Sequence, residues 1–185
     1  MADRVSVVSC AHGAWIQSSY TMGRSLAGAV GDGCESLVHV PVDAAGFAAV
    51  FSESELLILH THGSAIGLYD YRTDGRSTTI LTLEEAAALP RNPRLRFVMA
   101  TACETAGGNP HENLAAALSR RISPDGILIA SRTVVWGADT EFGAKDGACA
   151  WVAYRNGEIL RHPHELPALL TMGDGYRIAC ELGAR

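Results

Sequence analysis

The segments that decide the fold are LLILHTHGS at residues 56–64 and FVMATACETAGG at residues 97–108. Each segment begins with an apolar run, and apolar runs of this length, bounded by polar residues or glycine, are typical of buried parallel strands. In an open α/β sheet the ligand crevice lies beyond the carboxyl ends of the strands. Because His62 and Cys103 follow the two runs, we expect them to lie in one shared crevice.

Strand and helix patterns alternate along the rest of the chain. Further strands are predicted at residues 4–10, 36–40 and 127–130, and helices at residues 16–30, 47–51, 141–154 and 165–172, with another that opens at 109–110. This alternation predicts an α/β fold with a doubly wound, mostly parallel sheet and helices on both faces.

A β-hairpin insertion is predicted between the two deciding segments. The Asp-Gly pair at residues 74–75 separates two β-prone runs, which is a hairpin signal. Thr82 then stands three residues before Glu85, and this spacing predicts a capping box at the start of a helix.

The bulk composition restricts the class of protein. A length of 185 residues and a hydrophobic content of 48% favour a single domain over residues 1–185. The net charge of -5 and the single lysine, Lys145, argue against a nucleic-acid partner. No apolar run approaches the length of a membrane span. The five cysteines are odd in number and form no CxxC motif, which favours a reducing compartment and free thiols. We therefore expect the protein to be cytoplasmic, or exported by a route that needs no N-terminal signal.

A thiol and an imidazole are the two groups that cysteine nucleophilic catalysis requires. Cys103 lies where a strand passes through a turn into a helix, and the backbone N–H groups of such a turn can lower a thiol pKa and hold an oxyanion. His62 supplies a base, and Gly63 lets a substrate carbonyl approach its backbone N–H closely. The alternatives are a buried core cysteine and a structural histidine in a turn.

Other residues compete with this pair. His60 precedes His62 by two positions, and we interpret it as a supporting or core residue. Cys10 and His12 also follow an apolar run, at the end of the first predicted strand. If all these strands are parallel, the thiols and imidazoles at one rim are of the types that bind zinc.

The motifs around Cys103 resemble those of a known protein family. Four features, taken in chain order, resemble the caspase-like cysteine peptidases of clan CD. They are a strand that ends in His-Gly-Ser at residues 62–64, a hairpin, Leu-Thr before a helix at residues 81–82, and Ala-Cys-Glu-Thr at residues 102–105. Within that clan the sequence is most similar to the CHAT domain, over about residues 56–154. Ala106 departs from the pattern, because it stands before the first glycine of the turn.

The resemblance implies a cysteine endopeptidase that acts on a protein or peptide without a cofactor or metal. Cys103 would be the nucleophile and His62 the base, with the N–H groups of Gly63 and Cys103 forming the oxyanion hole. In the clan, a pocket beside the nucleophile holds the residue before the cut. The side chains best placed for that pocket are Asp139, Glu141 and Trp136. Such acids suit a basic residue, although both can also be solvated surface groups.

Three alternatives stay open at this point. The first is a non-catalytic, caspase-like module for signalling or interaction. The second is a zinc-dependent hydrolase that uses the crowded rim. The third is a transferase that passes an acyl group to a nucleophile other than water. Because CHAT domains often adjoin helical repeats and this chain has none, any activating or regulatory partner would be a separate protein.

Overall fold

The computed structural model describes residues 4–71, 75–135, 150–166 and 171–184. The strands within these residues are β1 (Arg4–Ser9), β2 (Glu35–His39), β3 (Leu56–His60), β4 (His62–Ser64), β5 (Gly67–Tyr71), β6 (Ser77–Thr82), β7 (Phe97–Ala100), β8 (Ile127–Ser131), β9 (Trp151–Arg155) and β10 (Glu158–Arg161). The helices are α1 (Gly13–Val30), α2 (Ala44–Glu53), α3 (Leu83–Ala88), α4 (Leu114–Ser119) and α5 (Met172–Glu181), with a 3-10 turn at Pro163–Glu165.

Seven of these strands form one sheet in the order β10-β9-β8-β7-β3-β1-β2. Strands β2, β1, β3, β7 and β8 pair in parallel, and β9 pairs antiparallel with both of its neighbours. Strands β3 and β7 lie side by side, with Leu56 opposite Phe97. The mostly parallel sheet predicted from the sequence is therefore confirmed, and the two deciding segments supply adjacent strands at its centre.

Helices cover both faces of the sheet, as predicted. Leu57 and Leu59 of β3 pack in the core that contains the buried side chains of α2, α3 and α4. Leu56 and Ile58 point to the opposite face, into the core that contains those of α1 and α5. All four leucine and isoleucine side chains are buried. Strands buried on both faces need apolar residues at successive positions, which explains the continuous apolar run.

The predicted hairpin is part of a second, three-stranded sheet in the order β4-β5-β6. Strands β5 and β6 form the hairpin itself, and β4 pairs antiparallel with β5 so that His62 lies opposite Tyr69. The sequence did not predict β4, because a three-residue strand leaves too little pattern to detect. This strand matters for the site, since it fixes the backbone of His62 and Gly63.

The helix that we predicted at residues 141–154 is wrong at its carboxyl end. Residues 136–149 lie outside the described residues, and Trp151–Arg155 is the antiparallel strand β9. Asn156 and Gly157, at φ 49° and φ 87°, connect β9 to β10. Both residues have positive φ, which two-residue type I′ hairpin turns require and Asn-Gly supplies. The pair therefore turns a hairpin instead of ending a helix.

Two further helix predictions need correction. The helix after Cys103 begins at Leu114, four residues later than Pro110, because the Asn113 side chain caps it by accepting the Ala116 N–H at 2.9 Å. Of the C-terminal helix predicted at residues 165–172, residues 167–170 lie outside the described residues, and the helix described next to them, α5, runs over Met172–Glu181. Among the described residues, no helix combines the length and apolar character that crossing a membrane requires.

Candidate active site

His62 is the first residue of β4 and lies just beyond the carboxyl end of β3. Its ring is half-buried between aromatic side chains. The Trp15 ring centroid lies 4.6 Å away and tilted, and the Tyr71 centroid lies 4.7 Å away in an edge-on arrangement. Packing from two sides restricts the rotation of the imidazole, so the ring is held in place before any substrate arrives.

Burial is the main influence on the His62 imidazole, and it lowers its pKa. The Asp70 carboxylate acts in the opposite direction and raises the pKa of His62. The balance leaves the ring neutral at neutral pH, which is the form that can accept a proton from a thiol.

Cys103 lies in the turn that follows β7, with its side chain half-buried. Its Sγ accepts the backbone N–H of Val135 at 3.3 Å, and the thiol can donate to the Val135 carbonyl at 3.8 Å. Among the described residues, no acceptor receives the Cys103 backbone N–H.

The turn around Cys103 is fixed by backbone hydrogen bonds. Glu104 has a φ of 54°, a left-handed conformation that is unusual for a residue with a side chain. Its N–H donates to the Thr133 carbonyl at 3.1 Å, and its carbonyl accepts the Gly107 N–H at 2.7 Å. Ala106, which departs from the CHAT pattern, is buried and donates its N–H to Ser131 at 3.0 Å. The alanine is therefore built into the turn.

Gly63 packs directly against this turn. A β-carbon on Gly63 would lie 2.7 Å from the Ala102 Cβ, 3.0 Å from the Cys103 carbonyl oxygen and 3.1 Å from the Thr105 Cγ2. These separations are too short for any residue with a side chain, so glycine is required by close approach. The structure therefore brings the residue next to His62 into contact with the backbone of Cys103.

The residues next to the two reactive side chains, Gly63 and Ala102, pack against each other. Among the described residues, no hydrogen bond joins the His62 ring to the Cys103 sulfur. Hydrogen bonds between catalytic groups are often long or absent before substrate binds. The Cys103 thiol is instead hydrogen-bonded to the backbone of Val135.

His60 is a buried residue with a structural contact, as the sequence suggested. Its Nδ1 lies 3.1 Å from the Thr101 hydroxyl, which itself donates to the Leu59 carbonyl at 3.1 Å. Because that hydroxyl proton is already used, Nδ1 must carry the proton in this hydrogen bond. Burial lowers the pKa of His60 to about 4, with the nearby His62 as a smaller cause. The His60 imidazole is thus neutral, and its Nδ1 is already used in the hydrogen bond to Thr101.

The rival residues at the end of β1 do not form a reactive group. Cys10 is 1% exposed, and burial raises its pKa to about 12, so its thiol stays protonated at neutral pH. His12 is exposed, and its Nδ1 accepts the Ala14 N–H at the start of α1. Within the described residues, no group of three or more histidine, cysteine or acidic side chains is arranged to hold a metal ion.

Sequence reasoning missed the two rings that pack on His62, Trp15 and Tyr71, and also Asp70, whose charge raises the His62 pKa. Trp15 lies in the first turn of α1, and its ring also packs on His60, with centroids 4.5 Å apart. Tyr71 and Asp70 lie on β5. The alternating pattern of β5 was the only available signal, and it does not show which face meets another element. Asp139, Glu141 and Trp136, the predicted pocket residues, lie outside the described residues.

Comparison with known proteins bears on the fold. No protein-family model matches the sequence, and no match was found among the curated proteins. Among solved structures, the chain is similar to the Arg-specific cysteine proteinase gingipain R, with a TM-score of 0.50 and 16% sequence identity. The match covers 72% of this chain and 32% of the gingipain chain, so this chain matches about a third of that protein.

The similarity is one of architecture, since the identity is low. Gingipain R is a clan CD cysteine proteinase, and the doubly wound sheet of this chain matches the arrangement expected for that clan. The chain therefore has a caspase-like α/β fold, shared with a cysteine proteinase of clan CD.

Proposed function

We propose that this chain is a cysteine endopeptidase that hydrolyses peptide bonds through Cys103 and His62. The observation that carries the proposal is the contact between Gly63 and the Cys103 turn, which joins the ends of β3 and β7. On a fold shared with a cysteine proteinase, this contact supports a common cleft for an imidazole and a thiol.

The reaction would begin when Cys103 Sγ attacks the scissile carbonyl carbon and its proton passes to His62. The tetrahedral oxyanion would be stabilised by backbone N–H groups of Cys103 and Gly63. When the C–N bond breaks, the His62 imidazolium would give its proton to the leaving amine. Water would then attack the thioester, with His62 again as the base, and release the acid and the thiol.

Specificity for a basic residue before the cut is the finer part of the proposal. Gingipain R is an Arg-specific cysteine proteinase. In this chain the acids Asp139 and Glu141, with Trp136 as a wall, would serve a positively charged side chain through charge-assisted hydrogen bonds. Their assignment rests on the sequence alone.

Further parts of the proposal also rest on the sequence. We propose that the chain is a single domain over residues 1–185, that it is CHAT-like and that it works in the cytoplasm. Its partners would be a protein or peptide substrate and a separate regulatory protein.

The test is turnover of a library of fluorogenic peptides that differ at the residue before the cut. The wild-type chain should cleave, with arginine preferred. Cys103→Ala should lower kcat by a factor of about 10³ or more. Its melting temperature should stay nearly unchanged, since among the described residues only Val135 is a hydrogen-bond partner of the half-buried side chain.

Retained cleavage by Cys103→Ala would overturn the proposal, and so would a wild-type chain that cleaves nothing in the library while binding peptides. The second result would favour a non-catalytic module. Activity that is lost on chelation and restored by zinc would favour a zinc hydrolase.

A further inference from the structure

Three aromatic side chains form a surface beside the His62 imidazole. The Trp15 and Tyr71 rings pack on the imidazole, with centroid separations of 4.6 Å and 4.7 Å. Tyr69 lies opposite His62 on the paired strand, and its ring centroid is 6.2 Å from that of Tyr71. We refer to Trp15, Tyr69 and Tyr71 as the aromatic wall. The wall joins the start of α1 to one face of the small sheet.

The aromatic wall is open to solvent. Tyr71 is 52% exposed, and the other two rings are half-buried. Solvent-facing positions of an antiparallel strand are usually polar. On β6 this holds, because the residues paired with Tyr71 and Tyr69 are Ser77 and Thr79. Rings take the place of polar residues only on β5, the strand that pairs with β4. Exposed aromatic surface beside a reactive side chain is typical of a ligand-binding surface.

The proposed reaction determines which part of a substrate meets this surface. When the C–N bond breaks, His62 gives its proton to the leaving amine, so an imidazole nitrogen must come within about 3 Å of the amine nitrogen. The carbon bonded to that nitrogen carries the side chain of the residue after the cut. This side chain is therefore the part of the substrate that lies nearest to the rings packed on His62.

We propose that Trp15 and Tyr71 form the subsite for the residue after the cut, and that this subsite selects an apolar, above all an aromatic, side chain. The inference rests on the proposed function and names the class of substrate on its leaving-group side. Aromatic rings attract one another at centroid separations of about 4.5–7 Å. The rings of the aromatic wall already lie at such separations from His62 and from each other.

The charges on this face of the small sheet agree with an apolar ligand. Besides His62 and the tyrosines, the side chains at the paired positions are the hydroxyls of Ser64, Ser77 and Thr79. Asp70 stands between the two tyrosines in sequence, but alternation along β5 places it on the opposite, buried face. These strand positions therefore offer no acidic or basic partner, other than the imidazole itself, to a charged side chain.

The test compares two internally quenched peptides that differ only in the residue after the cut, phenylalanine or alanine. Before the cut, both carry the residue that the fluorogenic library selects. In the wild type, kcat/KM should be about tenfold higher for the phenylalanine peptide. Trp15→Ala and Tyr71→Ala should each lower this ratio to about threefold or less. The ratio is informative because a loss of His62 orientation would slow the cleavage of both peptides equally.

The matched control is Tyr20→Ala. Tyr20 belongs to the same helix as Trp15 and is 47% exposed, and among the described residues no ring contact joins it to His62. This variant should keep the wild-type ratio. Tyr71→Phe should also keep it, because the ring is retained and only the hydroxyl is lost. Melting curves identify any variant that fails to fold, and the exposed Tyr71 gives a test that does not depend on the more buried Trp15.

Binding supplies a measurement that needs no turnover. In Cys103→Ala, the indole N–H signal of Trp15 can be followed by NMR and assigned from its loss in Trp15→Phe. This signal should shift on titration with the phenylalanine peptide, and the alanine peptide should give the same shift only at higher concentration.

The outcomes separate this inference from the proposed function. A wild-type ratio near one, or equal ratios in the wild type, Trp15→Ala and Tyr71→Ala, would overturn the subsite and leave the peptidase in place. A chain that cleaves neither peptide, but whose Trp15 signal responds selectively to the phenylalanine peptide, would keep the aromatic wall as a binding surface and reject the peptidase. A chain with neither cleavage nor a selective shift would overturn both.

Discussion

Gly63 and Ala102 approach so closely that a β-carbon on the glycine would lie 2.7 Å from the Ala102 Cβ. The two residues belong to different sheets, since Gly63 is in β4 and Ala102 follows β7 of the main sheet. Their contact is where the small sheet meets the candidate nucleophile turn. The distance from the base to the thiol therefore depends on the absence of a side chain at residue 63.

The first prediction concerns this contact. Gly63→Ala should displace β4 from the turn, because the added carbon meets backbone as well as side-chain atoms. We expect a loss of stability of about 1–3 kcal/mol and a larger loss of kcat, measured by chemical denaturation and peptide turnover.

The matched control for Gly63 is Gly28→Ala in α1. Gly28 is exposed, and a β-carbon there would meet nothing within 4 Å. Alanine favours helix, so this variant should be more stable by about 0.5–1 kcal/mol and fully active. A Gly63→Ala protein with wild-type stability and activity would show that the contact is not needed.

A second prediction concerns the ring of Trp15, which packs on both His60 and His62. Trp15→Ala should expose the two imidazoles to water and raise the pKa of each toward its ordinary value, because burial is the main cause of both depressions. Activity should fall about tenfold as the base loses its fixed orientation. Trp15→Phe keeps an aromatic face, so its histidine pKa values and its activity should lie between those of the wild type and of Trp15→Ala. NMR titrations that give the same histidine pKa values in all three proteins would contradict this account.

The third prediction is that native Cys10 resists alkylation. Its buried thiol has a pKa of about 12, whereas the exposed Cys180 is accessible. Iodoacetamide at pH 8 should therefore modify Cys180 and Cys103 in the folded protein, and Cys10 only after unfolding. Peptide mapping by mass spectrometry gives the order of reaction, and early modification of Cys10 would revive it as a candidate nucleophile.

Stability in alkali provides a further check on Cys10. The folded-state pKa lies above the ordinary value of 9.0, so above pH 9 the unfolded chain loses a proton that the folded chain retains. Unfolding is then favoured, and the free energy of unfolding should fall as the pH rises from about 9 to about 12. In Cys10→Ala this fall should be smaller than in the wild type.

The fourth prediction concerns the stability of the folded chain at acidic pH. The folded-state pKa of His60 is about 4, below its ordinary value of 6.5. As the pH falls from 6.5 to about 4, the unfolded chain binds a proton that the folded chain does not, and stability is lost, on the order of 3 kcal/mol. In His60→Gln the free energy of unfolding should fall much less over this pH range. Equal slopes in urea titrations of the two proteins would show that His60 is not buried as described.

Much of the fold could be predicted because the central strands carry an unambiguous pattern. Residues 56–60 and 97–100 are buried on both faces and therefore apolar throughout. The capping box of Thr82 and Glu85 is formed as predicted, since it depends on residues three apart in the chain. Patterns that are local in sequence thus gave correct elements.

The errors arose where a short pattern had two physical explanations. The residues of β9 are apolar in succession, which fits a buried helix as well as a strand. The Asn156-Gly157 pair that follows ends helices and also turns hairpins, and in this chain antiparallel pairing with β10 decided the outcome.

The positions of His62 and Cys103 beyond the ends of two adjacent strands could be predicted, but the residues around them could not. Strand ends meet at one edge of a parallel sheet whatever the side chains are, so residues 62 and 103 were identifiable from the order of strands alone. The positions of Trp15 and Tyr71 beside the His62 ring depend on how α1 and the small sheet pack against β3. That packing is a tertiary property that leaves no mark in the local sequence.

The most direct measurement is covalent labelling with a peptidyl acyloxymethyl ketone that carries arginine next to the reactive group, read out by peptide mapping. The account predicts one adduct, on Cys103, formed much faster than any modification of Cys34 or Cys180. It also predicts that His62→Ala suppresses this adduct although the thiol is still present. Labelling of Cys103 at the same rate without His62, or equal labelling of all accessible thiols, would contradict the claim that the two residues form one catalytic site.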